Sequence, residues 1–275
     1  MRRDVLRAGV VALVALATGL APQAASAASS PALPTSMASL GDSITRAYDV
    51  CCWYGDHPGQ SWTTGYTSYD GVTSHYERIR VVQPKISGNE DNDARTGAKM
   101  VEGPSQAATA VSQGARYVTV LLGANDLCTS STATMTSTEQ FRAQFDSTLS
   151  TLEQQRRAPY VFVSSLPDLY QLWTTLHGNA TAQAVWDWAH ICPSMLASNA
   201  TEEQRQQVVT REEAFNSILG EVCAAHARCR YDGGATYAYA FSAGQVSTLD
   251  YFHPSRSGQA ALAGLTWRHS WWPTV

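Results

Sequence analysis

Short apolar runs of strand length recur along this chain, each followed by a stretch with helical spacing, and that alternation limits the possible folds more than any other feature. Residues 37–40 read as the end of a buried strand, 79–86 as a β-branched run, and 117–122 (Tyr-Val-Thr-Val-Leu-Leu) as a second buried strand. Residues 160–164 and 228–231 continue the series. Between them, 106–114 reads as a short helix ended by a Gly cap, and 202–225 as a long helix. Thr138 opens a capping box with Glu139 and Gln140 in its first turn, and Phe141, Phe145, Leu149 and Leu152 follow at helical spacing. Residues 255–267 read as the last helix. Repeated β-α units of this kind build a parallel sheet with helices on both faces. Ligands of such sheets sit at the carboxyl ends of the strands.

The amino terminus has a different character. Arg2, Arg3 and Arg7 precede an apolar run, and Ala25-Ser26-Ala27 offers a small-x-small cleavage site. Residues 1–27 are therefore expected to be a signal peptide for export, too short and wrongly flanked for a membrane anchor. The Arg2-Arg3 pair fits either a twin-arginine or the general secretory route. Cleavage after Ala27 removes three arginines and one aspartate and takes the formal net charge from −4 to −6. No nucleic-acid partner is expected of so acidic a chain, and no later run is long enough to span a bilayer. Residues 28–35 are expected to be a loose arm, and 36–275 a single domain and a monomer.

Six cysteines suit an exported protein and allow three disulfides. Cys223 and Cys229 lie close enough for a local bridge between a helix end and a strand start. Cys128 and Cys192 would clamp two loops. That leaves Cys51 and Cys52, which would form a strained vicinal bridge unless each bonds elsewhere. A metal site is the competing reading, but the CxxC-type pairs usual for zinc are absent.

Four polar segments fall at strand-to-helix junctions: Gly41-Asp42-Ser43, residues 92–98, Gly123-Ala124-Asn125-Asp126, and Asp250-Tyr251-Phe252-His253-Pro254. Gly41 permits a sharp turn, and Asp42 and Ser43 suit a helix start. A serine there is exposed at the sheet's edge with its own N–H beside it. Serine is a poor nucleophile until a base takes its proton, and an imidazole accepts one near neutral pH, which nominates His253. Asp250, three residues earlier, can orient that ring and stabilise its charged form. The N–H of Ser43, the N–H of Gly97 and the amide of Asn125 supply three donors for an oxyanion. Taken singly, each segment also reads as an ordinary turn or cap; their joint occurrence in this order is what points to catalysis.

Together these blocks resemble the SGNH hydrolases, also called GDSL esterases and lipases. The resemblance spans about residues 36–270 and rests on Gly41-Asp42-Ser43, Asn92-x-Ala94-x-x-Gly97, Gly123-x-Asn125-Asp126 and Asp250-x-x-His253-Pro254. Ile44 stands where the family's name has leucine. The resemblance implies a flavodoxin-like three-layer α/β/α fold with a five-stranded parallel sheet, a Ser–His–Asp triad, ester hydrolysis and no metal or other cofactor. Residues 61–65, 92–98 and 123–128 resemble a phospholipase B-like branch, and residues 51–55 resemble secreted actinobacterial members, which suggests a lipid-type acyl ester or another small ester as substrate.

Trp53, Tyr54, Trp62, Tyr66 and Tyr69 follow the nucleophile segment and either line an acyl or headgroup pocket or pack in the core. Trp173, Trp186 and Trp188 lie in an insertion after the fourth strand. His57, His75, His177, His190, His226 and His269 lack metal-ligand spacing and read as structural or surface residues. Two readings stay open beside ester hydrolysis: acyl transfer or polysaccharide deacetylation on the same machinery, and a non-catalytic lipid- or carbohydrate-binding module.

Overall fold

The computed structural model describes residues 31–274; the expected signal peptide lies outside the described residues. Five parallel strands form one sheet in the order β2-β1-β3-β4-β5. These are β1 (Met37–Gly41), β2 (Glu90–Asn92), β3 (Tyr117–Leu121), β4 (Tyr160–Val163) and β5 (Cys229–Tyr231). Every residue of β1 and β3 is buried, as expected of strands covered on both faces. Successive side chains point to opposite faces. Ala38, Leu40, Val118, Val120, Val161 and Val163 join one hydrophobic cluster; Met37, Tyr117, Leu121 and Phe162 join the other.

Helices α2 (Gly103–Gln113), α4 (Thr138–Glu153) and α8 (Glu202–Ala225) cover the first face. Phe141 of α4 and Phe215 of α8 stack with centroids 3.9 Å apart. Helices α1 (His75–Val82) and α9 (Arg256–His269) cover the second face, where Ile79, Leu262 and Trp267 are buried. The three-layer α/β/α architecture with a five-stranded parallel sheet is therefore as expected. Short α3 (Ala124–Leu127) follows β3, and α5 (Leu169–Leu176), α6 (Ala180–Ala189) and α7 (Pro193–Leu196) fill the insertion between β4 and α8.

Four local expectations away from the Ser43 turn need correction. Residues 79–86 are not a strand: His75–Val82 is helical and Pro84–Ile86 is a 3-10 turn. A Ser74–Glu77 capping box starts that helix, and its buried residues lie three and four apart, so only one stripe needs covering. The cap of α4 is Ser137, with Gln140 as its reciprocal partner, one residue before the expected Thr138. The described part of the arm, residues 31–35, is not loose. Pro34 is buried, Leu33 packs on the second cluster, and the Trp272 indole N–H donates to the Pro31 carbonyl at 2.6 Å.

The fourth correction concerns the cysteines. Cys128–Cys192 and Cys223–Cys229 are bonded, the first pinning the loop after α3 to the start of α7, the second tying α8 to β5. Cys51 and Cys52 are free thiols. A bridge between adjacent residues must close through the one peptide linking them, and here the two sulfurs stay unbonded beside Gln60 and Arg256. Cys51 Sγ lies 3.6 Å from Gln60 Oε1, while Arg256 donates to Cys52 Sγ at 3.3 Å. Two bridges replace the expected three. Among the described residues, no helix is long and apolar enough to cross a membrane.

Candidate active site

The site is assembled at the carboxyl ends of β1, β2 and β3, and Ser43 is its centre. Gly41 closes β1, and a Cβ on it would sit 2.4 Å from Thr45 Oγ1 and 2.7 Å from the Leu121 carbonyl. Close approach, not a positive φ, is thus what demands glycine here. Gln106 of α2 accepts from the Gly41 N–H at 2.8 Å and donates to its carbonyl at 3.0 Å. Asp42 Oδ1 accepts from the Ile44 N–H at 2.9 Å, an Asx turn that leads the chain away from the strand. On the far side, Gln259 of α9 donates to the Ile44 carbonyl at 2.8 Å. The expected helix after Ser43 does not form. Residues 43–49 are consecutive turns, and Ala47 and Asp49 take φ of 50° and 52°, which interrupts helical propagation.

His253 reaches Ser43 from 210 positions away in sequence, its Nε2 at 2.7 Å from Ser43 Oγ. Its Nδ1 lies 2.5 Å from Asp250 Oδ2. Asp250 Oδ1 accepts from the N–H groups of Phe252 (2.9 Å) and His253 (3.0 Å), so one carboxylate shapes the turn and holds the ring. Tyr251, at φ 57°, completes that turn, and its carbonyl accepts from the Trp186 indole at 3.1 Å. Burial works to raise Asp250, but the His253 hydrogen bond and charge and the two backbone N–H groups outweigh it and hold the carboxyl below its usual range. Ser43, Asp250 and His253 are all buried, so their electrostatic coupling is little screened.

The remaining expected donors lie on the loop after β2 and on α3. Gly97 is exposed at φ 81°, in the left-handed region that favours glycine. Asn125 stands in the first turn of α3, where its side-chain amide donates to the Ala98 carbonyl at 3.0 Å. That bond uses one of the two amide N–H groups and leaves the other. Among the described residues, the N–H groups of Ser43 and Gly97 have no protein acceptor. Asn92, at the end of β2, donates to the Thr45 carbonyl (3.0 Å) and to Thr64 Oγ1 (2.8 Å), bracing the turn from the opposite edge. Asp126 accepts from the Met100 N–H at 2.8 Å and from Thr136 Oγ1 at 2.6 Å, which locks the Gly97 loop against α3.

Asp42 is fully buried, and its Oδ2 has no hydrogen-bond partner among the described residues. Desolvation pushes its pKa up to about 7, against the Ile44 N–H and His253, which pull it down; nearby Asp126 adds to the rise. A serine within hydrogen-bond reach of an imidazole that a carboxylate orients can be deprotonated as it attacks an electrophilic carbon, and free N–H donors beside it can hold the charge that develops.

Of the expected aromatic lining, Trp62 is core, donating through its indole to Thr45 Oγ1 at 3.4 Å. Trp53, Tyr54, Tyr66 and Tyr69 are exposed, and so is Trp188. Trp186 is buried, and Trp173 packs under the Arg205 guanidinium. His75 is buried among aromatic rings and hydrogen-bonded to Tyr117 and Thr266, and burial pushes its pKa down to about 3, a structural histidine as expected. Sequence reasoning missed Gln106, Gln259 and the side chains that form an apolar slot beside Ser43. A lone glutamine on a helix carries no signal of its role, and the slot's walls are scattered along the chain.

Comparison with solved structures aligns the chain with the acetyl xylan esterase AlAXEase at TM-score 0.51 and 14% identity, covering 84% of this chain and 98% of that one. An extracellular lipase from Streptomyces rimosus aligns at TM-score 0.46 and 16% identity, covering 83% and 97%. Comparison with curated protein sequences gives no match. Residues 37–265 match the family model described as GDSL-like Lipase/Acylhydrolase. The chain, with its serine turn and histidine-bearing turn both inside that match, belongs to the GDSL-like lipase/acylhydrolase family of ester hydrolases.

Proposed function

We propose that this chain hydrolyses carboxylic esters through an acyl-enzyme on Ser43, with His253 as general base and acid and Asp250 as its orienting partner. The observation that carries the reading is the continuous relay from Ser43 Oγ through His253 to Asp250, at 2.7 and 2.5 Å. Ser43 Oγ attacks the ester carbonyl carbon while His253 Nε2 takes its proton. The tetrahedral oxyanion accepts from the Ser43 and Gly97 N–H groups and the Asn125 amide. Collapse expels the alcohol, which leaves with the proton from His253. Water, deprotonated by His253, then attacks the acyl carbon, frees the acid and returns the proton to Ser43. Each oxyanion donor is expected to contribute about 3–4 kcal/mol in the transition state.

Ser43→Ala tests the reading. Its turnover of p-nitrophenyl esters should fall by at least about three orders of magnitude while its melting temperature holds. A near wild-type rate would refute the mechanism, and so would an inert wild-type chain, the outcome for a binding module. Export through the 1–27 signal and a monomeric enzyme belong to the same proposal; the exported protein should begin at Ala28 and run as one copy in size-exclusion chromatography. The phospholipase B-like stretches favour a lipid-type ester. Deacetylation of a polysaccharide is the second reading, favoured by the size of the slot beside Ser43. A panel of short and long p-nitrophenyl esters, phosphatidylcholine and acetylated xylan separates the two.

A further inference from the structure

We propose that the apolar slot beside Ser43 receives the acyl side of the ester and admits only a short acyl group, acetyl to butyryl. The inference rests on Ser43 being the nucleophile. Ser43, Asn125 and His253 do not line the slot themselves, but their chain neighbours do: Ile44 follows Ser43, Ala124 precedes Asn125, and Phe252 and Pro254 flank His253. Leu169 and Leu172 of α5 line it as well, with Phe241 and Val246. Leu172 and Phe241 each keep 9% of their surface accessible, against 0% for core neighbours such as Leu166. Asp168, Gln171 and Gln245 also border the slot, but Asp168 Oδ1 accepts from the Gln171 N–H at 2.9 Å, and the glutamine amides donate to the Phe241 carbonyl and the Tyr239 hydroxyl, both at 2.9 Å. The lining is thus mostly apolar.

Size sets the limit. The slot has a cavity volume of about 50 Å³. A cavity of about 150 Å³ takes the six carbons of benzene. On that scale the slot holds about two carbons beyond the carbonyl, with a third at its mouth. Its walls are not free to spread. Gln171 ties α5 to Phe241, Asp168 caps α5 by accepting from the Gln171 N–H at 2.9 Å, and buried Glu212 of α8 accepts from the Leu169 N–H at 3.2 Å. Admitting an octanoyl chain would break these bonds or leave the chain in water.

The test measures kcat/KM on p-nitrophenyl acetate, propionate, butyrate and octanoate below their aggregation limits. The wild-type protein should peak between two and four carbons and lose at least about tenfold at octanoate, the scale on which an apolar pocket discriminates a mis-sized chain. Phe241→Ala should raise the octanoate-to-acetate ratio at least about tenfold by removing one wall. Leu172→Ala, on the more peripheral α5, should move it the same way if Phe241→Ala does not fold, and Leu172→Phe should lower the butyrate-to-acetate ratio. Ser43-dependent hydrolysis that peaks at octanoate, or wall variants that leave the ratio unmoved, would overturn the slot assignment alone. Undiminished hydrolysis by Ser43→Ala would remove the nucleophile and the slot's role together.

Discussion

Asp42 offers the sharpest test of how this site is held together. Its carboxyl is fully buried next to Ser43, and one oxygen has no partner among the described residues. Burial raises its pKa from 3.8 to about 7 in the folded protein. The sign of the linkage follows. Between those two values the folded chain keeps a proton that the unfolded chain has lost, so stability falls as pH rises and levels off above the folded value. At about 1.4 kcal/mol for each tenfold change in proton affinity, the full effect is about 4 kcal/mol. Asp42→Asn keeps an oxygen to accept from the Ile44 N–H and removes the ionisation. Its stability relative to wild type should therefore climb by about 4 kcal/mol between pH 4 and pH 8, whatever the offset at pH 4. For a domain of this size that corresponds to about 10 °C in Tm. Calorimetry of both proteins across that range is the assay. Asp93, whose pKa desolvation lifts to about 6, titrates in both chains and cancels in the difference. Parallel Tm curves for the two proteins would show that Asp42 is not the buried proton carrier.

Asp250→Asn should cut turnover about 10³- to 10⁴-fold while the protein stays folded, because an amide facing Nδ1 selects the tautomer whose Nε2 already carries a proton. A fully active variant, measured by steady-state kinetics, would take Asp250 out of the relay. Replacing Cys128 and Cys192 by alanine should cost about 4 kcal/mol, and replacing Cys223 and Cys229 about 2, since the loops they close differ in length. Denaturant titration distinguishes the two, and equal losses would contradict the loop-length argument. Native alkylation followed by mass spectrometry should mark two cysteines, Cys51 and Cys52; an unlabelled protein would mean that they are paired.

The strands at the centre of the sheet were legible in the sequence because burial on both faces selects continuous apolar, β-branched runs, as at residues 117–122. The edge strand Glu90–Asn92 was not, since its side chains are only half-buried and polar residues suffice there. Residues 79–86 misled because β-branched composition favours a strand, while the Ser74 cap and the contact of Ile79 with the second cluster favour a helix. Ser43, Gly97, Asn125, Asp250 and His253 could be nominated from the sequence because chemistry restricts which side chains serve as nucleophile, base or donor. That Ser43, His253 and Asp250 meet could not, because Ser43 and His253 lie 210 positions apart and come together only through β1 and the turn before α9.

Residue type and local spacing determined the parallel α/β class and nominated the candidate site residues. Tertiary structure alone decided the rest: that Gln106 and Gln259 brace the serine turn, that Asp42 loses its solvent, that Cys51 and Cys52 stay unpaired, and that Ile44, Leu172, Phe241 and Phe252 enclose one slot. The physical reason is that chemical identity belongs to each residue alone, whereas desolvation and shape belong to whichever distant segments the fold packs around it.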